Sequence, residues 1–368
     1  MVYLDYSATS PVDDEVMNSF IKSSNYFGNP NSLHKLGVEA KKIIDASTDQ
    51  IASLLGVKKN EIIYTSGASE SNNMVIKGME DYGNRGKTII TTSLEHSSIN
   101  EPLKYLEKKG FTIKYVPLVD GIVDIDELEK MLSDVCLVTV SMVNSETGIR
   151  QPIEEIGKML INYPKVLFHT DITQAVGKIK FDLSNVDFAS FSAHKFFGIK
   201  GIGCLYKKEN INLSPLINGG KSTTIYRSGT PATSLIVSMA KALRLSYENM
   251  DGDLIKIKEL NNYLKKELSK YKKVIINSND NSIDQILNFS ILGVRPETFM
   301  HSLEESNVYI STQSACSSGD YSKAILSLTD DMDRASSSLR VSISRKTSKE
   351  EIDLFLDAFD KSYKKLVS

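Results

Sequence analysis

The chain contains no run of about 18 apolar residues, the length a helix needs to cross a bilayer. Its opening residues, MVYLDYSATSPVDDEV, have neither the basic stretch nor the apolar stretch of a secretory leader. From these two absences we expect a cytoplasmic protein with no membrane partner. Charge of one sign is lacking as well. The 44 lysines and arginines face 46 aspartates and glutamates, a net of -2, so no basic surplus is available to hold nucleic acid. Cysteine is scarce: Cys136, Cys204 and Cys316 are an odd number without metal-ligand spacing, which argues against a disulfide framework and against a metal site. No internal repeat, low-complexity tract or linker rich in Pro, Gly or Ser separates independent modules.

What is present is an ordinary globular composition, 41% hydrophobic and 24% charged over 368 residues, enough chain for a large core and a second, smaller one. Short apolar runs at 61–66, 87–94, 111–118, 135–143, 166–172, 186–193 and 201–208 read as strands, and most are separated by helix-length amphipathic segments. This alternation predicts an α/β fold with a mainly parallel seven-stranded sheet covered on both faces. The last third changes character. Helical stretches at 232–250 and 253–271 lead into KKVIINS, QILNFSIL, a helix over 295–307, NVYISTQSAC, SSLRVSIS and a final helix opened by a capping box of Ser348 and Glu351. We expect a large domain over 13–250 and a small α+β domain made of 1–12 and 251–368.

In open parallel sheets ligands sit at the carboxyl ends of the strands, so the residues just after each strand carry the information. EIIYTS is followed by Gly67-Ala68-Ser69, a small-residue turn opening a helix and suited to phosphate. TTSL is followed by Glu95 and His96, SMV by Asn144, and FHTDITQA contains Asp171 and Gln174. ASFSA runs into His194 and Lys195, and a lysine at the end of a core strand is seldom buried unless it is paired or chemically used. Each residue alone has an ordinary explanation as a cap or loop residue. Together a phosphate turn, a carboxylate, a histidine and a lysine at one sheet edge are the components of a pyridoxal phosphate site, with the lysine carrying the cofactor as an imine and the carboxylate keeping the ring nitrogen protonated.

Ten stretches taken in chain order carry a further signal: YLDYSATSPV, GNPNSLHKLG, TSGASESNN, LEHSSI, VNSETG, HTDITQAVGK, SFSAHKFFGIKGIG, RSGTP, SAC and LRVSISR. In these the chain resembles, nearly end to end, the pyridoxal-phosphate-dependent cysteine desulfurases of the class V aminotransferase superfamily, which have the fold-type I architecture. The resemblance implies that Lys195 bears the cofactor, Asp171 pairs with the ring nitrogen, Gln174 bonds the ring hydroxyl, and His96 stacks on the ring and helps move protons. It implies that Ala68, Ser69, Ser192 and His194 hold the phosphate, joined by Thr230 from the second subunit of a homodimer, and that Asn144 and Arg340 bind the substrate carboxylate.

Cys316 lies in STQSACSSGDYS, small and polar residues that read as a mobile loop, whereas Cys136 and Cys204 sit inside strands as small hydrophobes. In the family such a loop thiolate takes sulfur from L-cysteine as a persulfide and leaves alanine. Cys316 and Arg340 lie 24 positions apart, an interval that resembles the group with a long cysteine loop, which hands sulfur to an acceptor protein, an iron–sulfur scaffold or a tRNA-thiolation protein. Gln313 and the segment 221–226 depart from the family pattern. Two other readings stand beside the desulfurase. One is another class V enzyme, such as a selenocysteine lyase, a different β-lyase or an aminotransferase, in which Cys316 is incidental. The other is a catalytically silent interaction protein, against which the joint presence of Lys195, Asp171, His96 and Cys316 argues.

Overall fold

Runs dense in Ile, Val, Thr and Phe become the strands of a large sheet, six of them buried along their length and the edge strand Thr112–Tyr115 mostly exposed, in a computed structural model that describes residues 1–82, 85–312 and 321–367. The strands are β1 (Ile62–Thr65), β2 (Thr88–Thr91), β3 (Thr112–Tyr115), β4 (Val135–Thr139), β5 (Leu167–Asp171), β6 (Phe188–Ser192) and β7 (Gly203–Lys207). They form one seven-stranded sheet in the order β1-β7-β6-β5-β4-β2-β3. All pairings are parallel except the two made by β7. The mainly parallel sheet expected from the alternation is the sheet observed.

Side chains alternate along each strand, so the sheet feeds two cores. Val138, Phe168 and Ala189 point into one of them with Ile44, Ile51 and Leu243, while Leu137, Leu167 and Phe188 point into the other with Met74, Val75, Leu103 and Leu106. The first face is covered by α1 (Asp14–Ser23) and α2 (Lys35–Leu55), packed with the helix Thr233–Tyr247. The second is covered by α3 (Ala68–Gly78) and α4 (Ser97–Glu107).

The strand read over 111–118 stops at Tyr115. Pro117 has no N–H to continue the ladder, and Leu118–Val119 instead turns back on Ile122–Val123 through Asp120 and Gly121, both at positive φ (50° and 78°).

A further core gathers Leu264, Phe289, Phe299, Phe355 and Phe359 between an antiparallel sheet of Val274–Ile276, Ile286–Ile291 and Ser338–Ser342 and the helices Met250–Leu268, Pro296–Glu304 and Lys349–Leu366. The last helix opens with the expected capping box of Ser348 and Glu351. Val2 and Leu4 belong to this core, and Val2–Tyr3 pairs in parallel with Val308–Tyr309. The chain then crosses to the large sheet, where Ser10 N–H donates to His194 O at 2.9 Å and Asp13 N–H to Phe197 O at 3.0 Å. Residues 5–10 therefore run along the carboxyl edge of the sheet. No helix among the described residues is long and apolar enough to cross a membrane.

Candidate active site

The carboxyl ends of β1, β2, β4, β5 and β6 border one cavity of about 250 Å³, near the lower end of small-molecule sites, roughly 300 Å³. Ala68, Ser69, His96, Asn144, Asp171, Gln174, Ser192, His194, Lys195 and Arg340 all line it.

Lys195 sits on a single 3₁₀ turn, Ala193–Lys195, directly after β6. Its Nζ donates to Ser7 O at 2.6 Å and Ala8 O at 2.8 Å, both on the crossing N-terminal segment. Phe197, two residues on, holds a left-handed φ of 65°, unusual for a bulky side chain, and its N–H donates to Ser10 Oγ at 2.6 Å.

Asp171 ends β5 with a side chain that is 7% exposed. Asn72 Nδ2, from the buried side of α3, donates to its Oδ2 at 2.8 Å, and Thr173 N–H donates to its Oδ1 at 2.8 Å. His96 caps α4, its Nδ1 accepting from Ser98 N–H at 3.1 Å. The neutral ring therefore keeps its proton on Nε2. Burial pushes the imidazole below its ordinary value, with the Asp171 carboxylate opposing and the Lys195 ammonium reinforcing the shift.

At the opposite end Gly67 caps α3, and Ala68 N–H donates to Ser192 Oγ at 2.7 Å. A Cβ on Gly67 would stand 3.3 Å from that hydroxyl, so a larger residue would push Ser192 Oγ aside by a few tenths of an ångström. His194 Nδ1 lies 3.1 Å from Thr9 Oγ1, and its pKa is pushed down to about 4 by burial first and then by Lys195, Lys200 and Lys178.

Arg340 is 1% exposed and comes from the smaller sheet. It donates through one Nη to Ser145 O at 2.8 Å and through the other to Asp5 Oδ1 at 2.7 Å, while its Nε is buried with no partner. Asn144 Nδ2 gives one proton to Leu94 O at 2.9 Å and retains a second, while its Oδ1 accepts from Glu146 N–H and Thr147 N–H. A guanidinium and an amide with spare donors facing one cavity suit a carboxylate.

Thr230 is the exception among the described candidates. Within one chain it lines a separate cavity of about 100 Å³ with Ser66, Thr223, Arg227 and Gly229. Cys316 and Gln313, with the loop reading made for them, lie outside the described residues. The flanks of that segment are tied to the site: Ser311 and Arg340 exchange backbone hydrogen bonds of 3.1 and 2.8 Å, and Ser322 Oγ donates to the Glu146 carboxylate at 2.6 Å. Cys136 and Cys204 lie in β4 and β7, fully buried; burial pushes the Cys136 thiol up to about 11 and the Cys204 thiol higher still.

Several site groups escape a reading of strand ends. The carbonyls of Ser7 and Ala8 and the carboxylate of Asp5 belong to an N-terminal stretch that precedes every strand of the large sheet. Asn72 had a local signal, a polar residue on the buried side of α3 between Ser71 and Met74. Among the described residues no cluster of His, Cys, Asp and Glu could hold a metal ion.

The residues present fit pyridoxal phosphate. The cavity offers a primary amine, a buried carboxylate held on both oxygens and a small-residue turn at a helix N-terminus. Ser7 Oγ and Thr173 Oγ1 at its wall are buried without partners, as groups awaiting a polar ligand are.

Comparison with known proteins agrees. The family model "Aminotransferase class-V" matches residues 2–355. The chain is 41% identical to the cysteine desulfurase IscS of Glaesserella parasuis serovar 5 (strain SH0165), covering 99% of this chain and 93% of that relative. It is 38% identical to the cysteine desulfurase IscS of Dictyoglomus turgidum, over 99% and 95% of the two chains. Among solved structures, a NifS-like protein superposes with a TM-score of 0.94 at 34% identity, covering 99% of this chain and all of the other.

Proposed function

The chain belongs to the class V aminotransferases and is a pyridoxal-phosphate-dependent cysteine desulfurase acting on L-cysteine, and from that premise we propose which of its residues perform the reaction. Lys195 holds the cofactor and moves the substrate proton, Asp171 sets the charge of the ring nitrogen, Asn144 and Arg340 seat the substrate carboxylate, and Cys316 receives the sulfur. The observation that carries this assignment is the convergence of Lys195, Asp171, His96 and Arg340 on one cavity, drawn from β6, β5, α4 and the smaller sheet.

When bound, pyridoxal phosphate supplies an aldehyde for an amine and a ring that withdraws electrons from Cα. The protein does the rest. Lys195 Nζ, steered by the Ser7 and Ala8 carbonyls, is placed to take a proton from Cα and to return one. Asp171, fixed by Asn72 and Thr173, presents a carboxylate to a ring N–H. Ala68 and Ser69 at the start of α3, with Ser192 and neutral His194, hold the phosphate through N–H and O–H donors. His96, with its proton on Nε2, lines the cavity and could move a proton to or from the substrate fragment. Gln174 addresses the ring hydroxyl.

The Cys316 thiolate attacks the substrate sulfur, the S–Cβ electron pair passes to the remaining three-carbon fragment, and protonation of that fragment yields alanine with a persulfide left on Cys316. Ser311, five positions before Cys316 in the chain, has its backbone paired with Arg340. Cys136 and Cys204 are unsuited to this task, each being buried with a raised thiol pKa. Sulfur then passes to an acceptor protein in the cytoplasm, an iron–sulfur scaffold or a tRNA-thiolation protein.

We assign a homodimer to the same reading. Phe27 and Leu33 are 79% and 98% exposed, with Ile21 and Leu36 beside them in sequence. Ser24 Oγ reaches Ser234 Oγ at 3.3 Å, which brings this apolar stretch beside the segment that carries Thr230. A second subunit covering it would carry Thr230 to the neighbouring phosphate.

The experiment is exposure of the purified protein to L-cysteine, with alanine and sulfide measured and the cysteine peptides weighed. Wild type should release alanine and gain one sulfur on the Cys316 peptide alone. Cys316→Ala should keep the yellow cofactor band yet lose at least about 100-fold in alanine release, the scale for removal of a covalent nucleophile. Lys195→Ala should lose the covalent band altogether. Alanine release by Cys316→Ala at the wild-type rate would transfer the chain to a class V lyase with an incidental cysteine.

A further inference from the structure

Lys178 has no part in the mechanism above, yet its amine is spent on a residue that does. Lys178 Nζ donates to Gln174 Oε1 at 2.5 Å. On the other side of the same amide, Gln174 Nε2 donates one proton to Ser7 O at 2.9 Å, the carbonyl that also accepts from Lys195 Nζ at 2.6 Å. The second proton of Nε2 is left for the cavity that Gln174 and Lys195 both line.

A glutamine amide is nearly symmetric in shape, so its neighbours decide which end faces where. Turning Gln174 over would set Oε1 against the Ser7 carbonyl oxygen and Nε2–H against the Lys178 ammonium. Two hydrogen bonds would be replaced by two repulsions. Lys178 itself stands outside the large cavity; it lines an adjoining space of about 40 Å³ with Gln285 and Phe196. It can therefore act on a bound molecule only through another residue.

We propose that Lys178 is a positioning residue that locks the Gln174 amide with its N–H, and not its carbonyl, turned toward the cofactor's ring hydroxyl. The proposal rests on the reading that Gln174 addresses that hydroxyl. Burial, with Lys195 and Arg340 adding to it, pushes the Lys178 ammonium down to about 7. An ammonium can only donate to Oε1, whereas a neutral amine can also accept from a turned-over N–H, so Lys178 discriminates between the two ends of the amide most strongly while it is protonated.

The consequence is spectroscopic. An N–H donor at the ring oxygen stabilises its deprotonated form and loosens the proton shared between that oxygen and the lysine-linked nitrogen. Loss of the donor tightens that proton, so the pH midpoint of the visible absorption band rises. Titrating the cofactor-loaded enzyme from acid to alkaline pH reads this without turnover.

Lys178→Met should raise the midpoint by about one pH unit, a tenfold change in the protonation equilibrium. Gln174→Ala should raise it similarly, and the double variant should match Gln174→Ala alone, because Lys178 acts only through Gln174. Lys178→Gln, which keeps an N–H donor beside Oε1, should stay near wild type and serves if the methionine variant does not fold. An unmoved midpoint in Lys178→Met, an equal further shift when Gln174 is already alanine, or a full shift in Lys178→Gln would each overturn the lock. An unmoved midpoint in Gln174→Ala would instead overturn the ring-hydroxyl reading on which the proposal stands.

Discussion

Lys195, Lys178 and Lys207 are all drawn away from water, and they show that burial alone does not identify a reactive amine. Lys207 is 1% exposed, yet its Nζ donates to the carbonyls of Lys208 at 3.0 Å and Ile211 at 2.6 Å and lies over the Tyr226 ring at 4.6 Å. It is a satisfied cation that ties down the end of β7. Lys195 differs because its amine faces the cavity shared with Asp171 and Arg340. Glu95, the residue before His96, gives a test at the same scale. Its carboxylate accepts from Thr92 Oγ1 at 2.7 Å and Ser141 N–H at 3.0 Å, yet burial outweighs these bonds and pushes it up to about 7 from 4.5. The folded state therefore holds this proton more tightly than the unfolded state. The associated stability is complete below about pH 4.5 and is lost as pH rises through about 7. Glu95→Gln removes this titration. Urea midpoints should show wild type losing on the order of 3 kcal/mol relative to the glutamine variant between pH 5 and 8, and parallel pH profiles would contradict the shift.

At the scale of the element, the turn proposed to hold phosphate depends on two glycines placed back to back. Gly203 opens β7, pairs with Ser192 of β6 and Thr65 of β1, and a Cβ on it would lie 2.5 Å from Gly67 Cα and 2.6 Å from Phe191 O. Both obstacles are backbone, so no side chain can swing aside. Gly203→Ala should cost about 1–3 kcal/mol, the usual penalty of overpacking, by forcing β7 away from the turn at Gly67. Because that turn begins α3, the same variant should release pyridoxal phosphate more readily than wild type on dialysis. Unchanged retention would separate the turn from cofactor binding. The strands themselves were readable from sequence, since a strand buried on both faces is a continuous apolar run. The strand expected to run to 118 ends at Tyr115 instead, for the local reason that Pro117 and the turn at Asp120-Gly121 supply.

At the scale of the whole molecule, one chain leaves Thr230 outside the main cavity and an apolar stretch at Phe27 and Leu33 in water. The proposed two-fold partner would account for both. Diluting the loaded protein in a sedimentation experiment should therefore show dimer dissociation and cofactor loss in step, and Thr230→Ala should loosen the cofactor while leaving the dimer intact. A monomer that keeps its cofactor at full occupancy would remove Thr230 from the site.

Six buried strands and an exposed edge strand, the kind of side chain that follows them, and a family resemblance spread over the whole chain are legible in the sequence alone. These are local properties, because burial on both faces and the chemistry of a strand end are written within a few neighbouring residues. Which groups steer those side chains follows from the fold alone. Asp5 meets Arg340 across 335 positions, Ser7 O meets Lys195 across 188, and Asn72 meets Asp171 across 99. Such bonds depend on the path of the backbone between two cores and on the direction each donor points once both ends are packed, and no window of sequence contains either.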